Sequence, residues 1–487
     1  MSAATPRPAS LWLALLPLLL LVALLVANVA VFGDGGLGGP NQLALLFAAA
    51  VALGVGVFQG HRFKGLLEHV VRGISLALGA VLILLLIGAL AGTWLIAGII
   101  PAMIHHGMLL LSPAWFLVAA CLVCAVVSLA TGSSWSTAAT VGIALLGIGK
   151  ALGFHEGLVA GAVISGAYFG DKLSPLSDTT NLAPAVAGTD LFTHILYLLW
   201  TTVPSMGIAL LLFGGIGLFG DTAHEVPDTA SFHAAILEKF NVGWWLYLVP
   251  VAMVVMIARR VPVLPALFAG TLLGALFAVL FQPQLIQELG SDGGPLRRAY
   301  EVAITAMGPG LAVETGHAAV DELLVAKGMA GMLNTVWLII CALAFGGAME
   351  GAGLLQRITG AVMGLVRGDG SLIATTTASC VFVNVTASDQ YLSIVVPGRM
   401  FAPVFAQRGL APQVLSRTLE DGGTVTSPLV PWNTCGAYMG GVLGVATLTY
   451  LPFCFFNLAS PLMTMLFGAM GWRIARIGQN RSGSGMP

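Results

Sequence analysis

Apolar segments follow one another almost without a gap from Leu11 to Ala469, most of them long enough to approach the ~20 residues that cross a bilayer. A water-soluble fold cannot carry that pattern, because too little polar surface remains to cover it. Only 8% of the residues are charged, about a third of the roughly 25% usual for a soluble domain. The 20 basic and 21 acidic side chains leave a net charge of −1, with no clustered basic face for nucleic acid. The chain therefore reads as an all-α polytopic membrane protein whose surroundings are the lipid bilayer.

The first run, Leu11–Phe32, exceeds the core of about 7–15 residues found in secretory signals and reads as a span. Further segments near 42–58, 73–100, 113–131, 141–170, 191–219, 242–258, 262–282, 332–350, 371–384, 390–406 and 436–469 predict roughly 11–13 crossings or part-crossings. Basic residues fall in groups: Arg62, Lys64 and Arg72; Arg259 and Arg260; Arg357 and Arg367; Arg399, Arg408 and Arg417; Arg473, Arg476 and Arg481. Residues 33–41 and 101–112 have none, and 220–241 holds Asp221, Glu225, Asp228 and Glu238 against Lys239 alone. Positive charge marks the cytoplasmic side, so both termini are expected there, in the cell membrane, with the mixed segment 283–331 outside.

Self-comparison finds a repeat. Ala89-Leu90-Ala91 recurs as Ala342-Leu343-Ala344 (342 − 89 = 253), and Ser174-Pro175-Leu176 recurs as Ser427-Pro428-Leu429 (427 − 174 = 253). At that offset the polar stretch 131–137 falls on 384–390. The span at 73–100 follows basic residues while its copy at 332–350 precedes them, so the halves are inverted, as in secondary transporters. The expected organisation is 1–60 N-terminal spans, 61–219 first repeat, 220–331 connecting spans and an extracytoplasmic loop, 332–469 second repeat, and 470–487 cytoplasmic tail.

Each half is interrupted twice: TGSSWSTAATVG (131–142) and GDKLSPLSDTTNLAPA (170–185), then NVTASDQYLS (384–393) and EDGGTVTSPLVPWNT (420–434). Pro175, Pro184, Pro428 and Pro431 each remove a backbone donor and are expected to break the helical ladder. Broken helices and re-entrant hairpins survive at membrane depth only where protein or a wet cavity surrounds them. Asp171, Asp178, Asp389, Glu420 and Asp421 lie within these breaks, and an acid inside a membrane is costly enough to imply function. The competing reading is a solvated loop for Asp178, Asp389, Glu420 and Asp421, and a local ion pair with Lys172 for Asp171. Hard cations want oxygen ligands, which Thr131, Ser133, Ser134, Thr137, Ser177, Thr179, Thr180, Asn181, Asn384, Thr426, Ser427 and Asn433 supply. Taken singly, such hydroxyls and amides more often bond the nearby backbone.

The remaining chemistry is sparse. Cys121, Cys124, Cys341, Cys380, Cys435 and Cys454 all lie in apolar stretches and read as packing residues. His105 and His106 read as a loop pair with no second ligand cluster nearby. Walker A, H-E-x-x-H and G-x-S-x-G motifs are absent, so neither an enzyme nor a cofactor is expected.

The stretch GAYFGDKLSPLSDTTNLAPAVAGTDLFTHI (166–195), with DQYLSIVVPGRMF (389–401) and LSRTLEDGGTVTSPLVPWNTCGAYMGGVLG (415–444), resembles the NhaC-type sodium/proton antiporter family of the ion-transporter fold group. Two positions depart from its pattern: Ser388 stands where glycine often precedes the Asp-Gln pair, and Ser136 where glycine is common. The resemblance implies inverted repeats with re-entrant hairpins, a homodimer, and protons entering as sodium leaves. Members with the same motifs exchange organic acids or amino acids, which keeps a small organic solute as the alternative cargo, with Lys172, Arg399 and Asn433 as candidate contacts. A carboxyl taken out of water favours its neutral form and a bound cation favours the charged one, so sodium and protons can compete for one group. Asp178 and Asp389 are the expected sodium site, with Asp171 and Asp421 next. A channel is disfavoured by the inverted duplication and the lack of a filter-like repeat.

Overall fold

The computed structural model describes residues 9–32, 38–110, 112–219, 229–259, 261–362, 364 and 366–477. The acids of 220–228, Arg260 and Arg481 fall outside the described residues. The structure is a helical bundle whose one sheet among the described residues pairs β1 (Leu311–Ala312) antiparallel to β2 (Val325–Ala326).

Helices α1 (Leu11–Phe32) and α2 (Pro40–Phe58) pack on one another. The apolar run 73–100 is not one span. It is divided among α3 (Phe63–Leu76), α4 (Leu78–Ile96) and α5 (Ile99–Leu110). The last two meet at a 70° bend, where Gly98 takes a positive φ of 78° that a side chain would resist. His105 and His106 lie inside α5, not in a loop. Their partners come from elsewhere in the chain: His233 bonds His105, and Trp244 stacks on His106. Adjacent residues in sequence could not announce that.

The first repeat continues with α6 (Pro113–Thr131), α7 (Ser134–Thr137), a π-helical turn (Ala138–Gly142), α8 (Ile143–Ala151), α9 (Glu156–Leu173), α10 (Asp178–Ala187) and α11 (Leu191–Phe219). Pro184 sits inside α10 without ending it, contrary to the expected break. The connecting region holds α12 (Thr229–Lys239), α13 (Leu248–Ala258), α14 (Val263–Phe281), α15 (Pro283–Leu289), α16 (Pro295–Met307) and α17 (Ala318–Asp321). The second repeat comprises α18 (Leu333–Gly351), α19 (Leu354–Val362), α20 (Asp369–Thr386), α21 (Gln390–Gln407) and α22 (Pro412–Leu419). A π-helical turn (Glu420–Thr424) then leads to α23 (Thr434–Leu443), α24 (Thr447–Tyr450) and α25 (Phe455–Met470).

Six described helices are long and apolar enough to cross a bilayer alone, or nine spans if bent pairs are counted. This is fewer than the 11–13 crossings or part-crossings expected from the sequence. Apolar side chains such as Leu211 and Phe219 are exposed on the outside of the bundle, as a lipid-facing surface requires. Close approach of α6 to α9 depends on Gly166 and Gly170, which face the carbonyls of Cys121 and Ala125; small residues take this role where lipid supplies no hydrophobic drive.

The repeat itself is real but its register differs from the tripeptide matches. Helix starts coincide at 256: Glu156 with Pro412 (412 − 156 = 256), Asp178 with Thr434 (434 − 178 = 256), and Leu191 with Thr447 (447 − 191 = 256). The offset of 253 is therefore corrected by 256 − 253 = 3 residues. A slip of that size is close to one helical turn of ~3.6 residues and leaves the apolar phase nearly unchanged. Of the two tripeptide matches, one lies inside α4 and α18 and one at a break, and neither fixes the register of the helices. In the corrected register Gly132 falls on Ser388, and both are left-handed, with φ of 69° and 60°. The glycine-like position seen in the family pattern is thus a true αL position occupied by serine.

Ser388 also buries a hydroxyl that has no partner among the described residues. Ser388→Gly should raise the melting temperature of the detergent-solubilised protein, by a net gain of up to ~1 kcal/mol once the added freedom of the unfolded chain is subtracted. A lowered melting temperature would show that the hydroxyl is needed.

Candidate functional site

The four breaks are built as two matching pairs. In the first half α6 stops at Gly132, and Ser133 caps the next helix by accepting from the Ser136 amide at 3.1 Å. In the second half α20 stops before Ser388, and Asp389 caps α21 by accepting from the Leu392 amide at 2.9 Å. Ser177 caps α10 and Asn433 caps α23, accepting from the Thr180 and Cys435 amides. Polar residues are required here because the first amides of each helix have no intrahelical acceptor.

Across each pair runs one equivalent contact. Ser134 Oγ donates to Asp171 Oδ2 at 2.7 Å, and Ser427 Oγ donates to Gln390 Oε1 at 3.4 Å. The residues correspond in the corrected register, since 390 − 134 = 256 and 427 − 171 = 256. The carboxylate therefore belongs to the α9 side in the first half, whereas in the second half the acid, Asp389, sits one residue before Gln390.

Helices α10 and α21 pack together, with Val186 against Gly398. Tyr391, the second residue of α21, feels the charge of Asp178, the first residue of α10, which brings the two N-termini near one another. Asp178 is exposed and Asp389 half-buried, and the acid that acts on Asp389 itself is Glu350. Asp178 acts electrostatically on Asp171, which is buried at 8% exposure. Asp178, Asp389 and Asp171 all act on the Tyr391 hydroxyl. Both amino ends present positive dipole to these carboxylates.

Asp421 has a different environment. It is fully buried, ion-paired to the equally buried Lys172, and it accepts from Ser460 at 2.6 Å, from Thr201 at 2.9 Å and from Thr464. Lys172 thus reaches across the halves to Asp421, not to its neighbour Asp171 as a local pair. Four donors occupy the carboxylate, which leaves Asp421 no free lone pair in this arrangement for a further cation.

Other candidates are likewise engaged with backbone. Thr137 Oγ1 donates to the Ser133 carbonyl at 2.9 Å. Exposed Asn181 ties down the carbonyls of Pro175 and Ser177 at 2.9 and 2.7 Å. Thr426 Oγ1 donates to the Gly422 carbonyl at 2.6 Å, and Ser427 Oγ to that of Thr424 at 2.7 Å. Asn433 Nδ2 bonds Asn384 Oδ1 at 3.0 Å. Thr179 Oγ1 lies 3.2 Å from Ser177 Oγ. Among the described residues no three His, Cys, Asp or Glu side chains gather as a metal-binding group.

Several residues of the polar core escaped the sequence reading. Thr201, which stands beside Thr202 with Ser205 one turn on, and Ser460 and Thr464 are hydroxyls in apolar helices that nothing in the sequence separates from packing residues. His194, fully buried, meets Ser416 Oγ at 2.7 Å through Nδ1. Arg417, read as a cytoplasmic marker, is fully buried with its guanidinium 4.6 Å from the Tyr197 ring centre. Arginine in the last turn of a short amphipathic helix gives no sign of which way it turns.

Residues 166–472 match the Na+/H+ antiporter family. The chain is 37% identical over 432 residues to the Na(+)/H(+) antiporter NhaC of Alkalihalophilus pseudofirmus, covering 89% of this chain and 90% of that one. It is 35% identical to the malate-2H(+)/Na(+)-lactate antiporter of Bacillus subtilis, over 89% and 90% of the two chains. The Na(+)/H(+) antiporter NhaC of the same organism is also 35% identical, over 88% and 91%.

Breaking the Lys172–Asp421 pair from one side strands a buried charge. Lys172→Met and Asp421→Asn should each cost about 3–5 kcal/mol, and the double variant much less than their sum. Thermal unfolding in detergent reads this directly, and additive losses would refute the pairing.

Proposed function

The chain belongs to the Na+/H+ antiporter family, and from that premise we propose that it exchanges sodium for protons across the cytoplasmic membrane, as a multi-pass secondary transporter. No covalent step is required. Sodium and protons compete for carboxylates held where two helix breaks meet, so the site cannot keep both, and the two fluxes become coupled. Asp178 and Asp389 lead this set, with Asp171 as the third acid and the Ser134 and Ser177 hydroxyls as neutral oxygen ligands. Sodium and protons are cargo, and no resident cofactor has a part in this scheme.

The observation that supports this most is the meeting of α10 and α21 at their N-termini, which gathers acids from both halves around Tyr391. Asp421 moves from the set of binding acids to a structural role, because Lys172 and three hydroxyls already occupy it. The proposed organisation keeps the boundaries 61–219 and 332–469 for the repeats, with both termini cytoplasmic and two copies associating as a dimer. A second reading, exchange of a small organic acid or amino acid coupled to sodium or protons, draws on the similarity to a relative named for malate and lactate.

Proteoliposomes carrying an internal pH dye test both. A sodium step should move protons through the wild type, and malate, lactate or amino acids should leave that rate unchanged; competition by any of them would favour the second reading. Asp178→Ala should slow the sodium-driven proton flux by about tenfold or more, equivalent to ~1.4 kcal/mol or greater. An unchanged rate would remove Asp178 from the site.

A further inference from the structure

Glu420 is the first residue of the π-helical turn Glu420–Thr424, a local geometry often found at functional positions. It is fully buried, and neither carboxylate oxygen has a hydrogen-bond partner among the described residues. The contrast with the next residue is sharp, since Asp421 has an ammonium and three hydroxyls on its two oxygens. The Thr424 and Thr179 hydroxyls lie close enough to act on the Glu420 carboxyl, and Thr424 Oγ1 has no hydrogen-bond partner among the described residues. A bare carboxylate anion is not tolerated in such a place; the group is neutral, or a cation accompanies it. Lys172 acts on Glu420 only through space, since its ammonium is bonded to Asp421 and Ser460 and not to Glu420.

We propose that Glu420 is the carboxyl that carries the transported proton, on the inner side of the sodium-binding acids. This rests on the sodium/proton exchange reading above. Asp178 is exposed, Asp171 is buried and acts on Glu420, and Glu420 is fully buried, so exposure falls from the first acid to the last. When sodium arrives, the O–H of Glu420 gives up its proton to water on that side, and the anion left behind is balanced by the sodium charge. The reverse step returns one proton as sodium leaves. No bond other than O–H forms or breaks.

The elements packed around the turn carry few other charges. Their titratable and charged groups are Glu156, Tyr168, Asp171 and Lys172 on α9, Asp178 on α10, Asp369 and Cys380 on α20, Tyr391 and Arg399 on α21, and Arg417 on α22. Helix α25 contributes none. Of these, Lys172 and Asp171 act on Glu420, with opposite signs. Asp369 is held instead by Arg408 and Arg476.

The test uses the full chain in proteoliposomes, with radiolabelled sodium uptake and the internal pH dye read together. In the wild type, the half-saturating sodium concentration should fall by about tenfold per pH unit over the range where one proton competes. Glu420→Gln, which replaces a neutral carboxyl almost atom for atom, should fold normally, lose sodium-driven proton flux to the level of empty vesicles, and flatten that slope. Glu420→Asp should keep both. A Glu420→Gln protein with the wild-type flux and slope overturns the inference. So does a Glu420→Gln protein that cannot be recovered folded while Glu420→Asp can, since that outcome marks Glu420 as an ionised structural anion. Wild-type vesicles that move no protons on a sodium step would instead remove the exchange reading itself.

Discussion

Backbone amides and carbonyls released inside a bilayer find no water, so the protein must supply every partner. The two repeats meet this demand by tying their breaks to one another. Tyr438 in α23 donates to the Trp135 carbonyl at 3.1 Å, and Tyr450 to the Pro428 carbonyl at 2.7 Å. Trp432 Nε1 reaches the Val385 carbonyl at 2.7 Å, and Asn384 Nδ2 the Gly423 carbonyl at 2.6 Å. The Tyr438–Trp135 tie joins the two halves, and the other three brace the breaks of the second half. The candidate site is thus a by-product of solving a backbone problem: the ends must converge to be satisfied, and once converged they can face a shared ion.

The buried ion pair adds a second constraint. Lys172 on α9 and Asp421 on the second π-helical turn have Thr201 of α11 and Ser460 and Thr464 of α25 as further members of the same cluster. Separating the charges would leave each uncompensated in a medium of low dielectric, which is the expensive way to lose such a pair. The pair and its hydroxyls therefore hold α9, α11, α25 and the second π-helical turn together.

Much of this was legible in the sequence for definite reasons. Breaks at 131–142 and 384–393 were visible because glycine, serine and aspartate interrupt otherwise apolar runs, and the helices end there at Thr131 and Thr386. The duplication was visible too, but not its register, because a three-residue slip in a helix preserves the apolar face. Acids could be seen to lie in breaks, yet sequence could not say which are saturated. Asp421 and Glu420 are neighbours with opposite fates, and that difference is made by Lys172, Thr201, Ser460 and Thr464, none of them within 35 residues along the chain. The hydroxyls expected as ligands were mostly caps and braces, because a helix end claims the nearest oxygen before any ion does.

Inverted repeats share a scaffold, but the chemistry placed on it is unequal. In the corrected register Glu420 corresponds to Ile164 (420 − 164 = 256), Asp421 to Ser165 (421 − 165 = 256) and Asp389 to Ser133 (389 − 133 = 256). Ile164 and Ser165 are fully buried, and Ser165 Oγ does no more than accept from the Phe456 amide at 3.4 Å. A symmetric distribution would have set two acid clusters against each other across the bundle, each raising the cost of charging the other. Placing the deep acids on one half and their ammonium partner on the other converts that repulsion into the attraction that joins the halves. The pseudo-symmetry then positions the helix ends, and the departures from it decide where charge can be held.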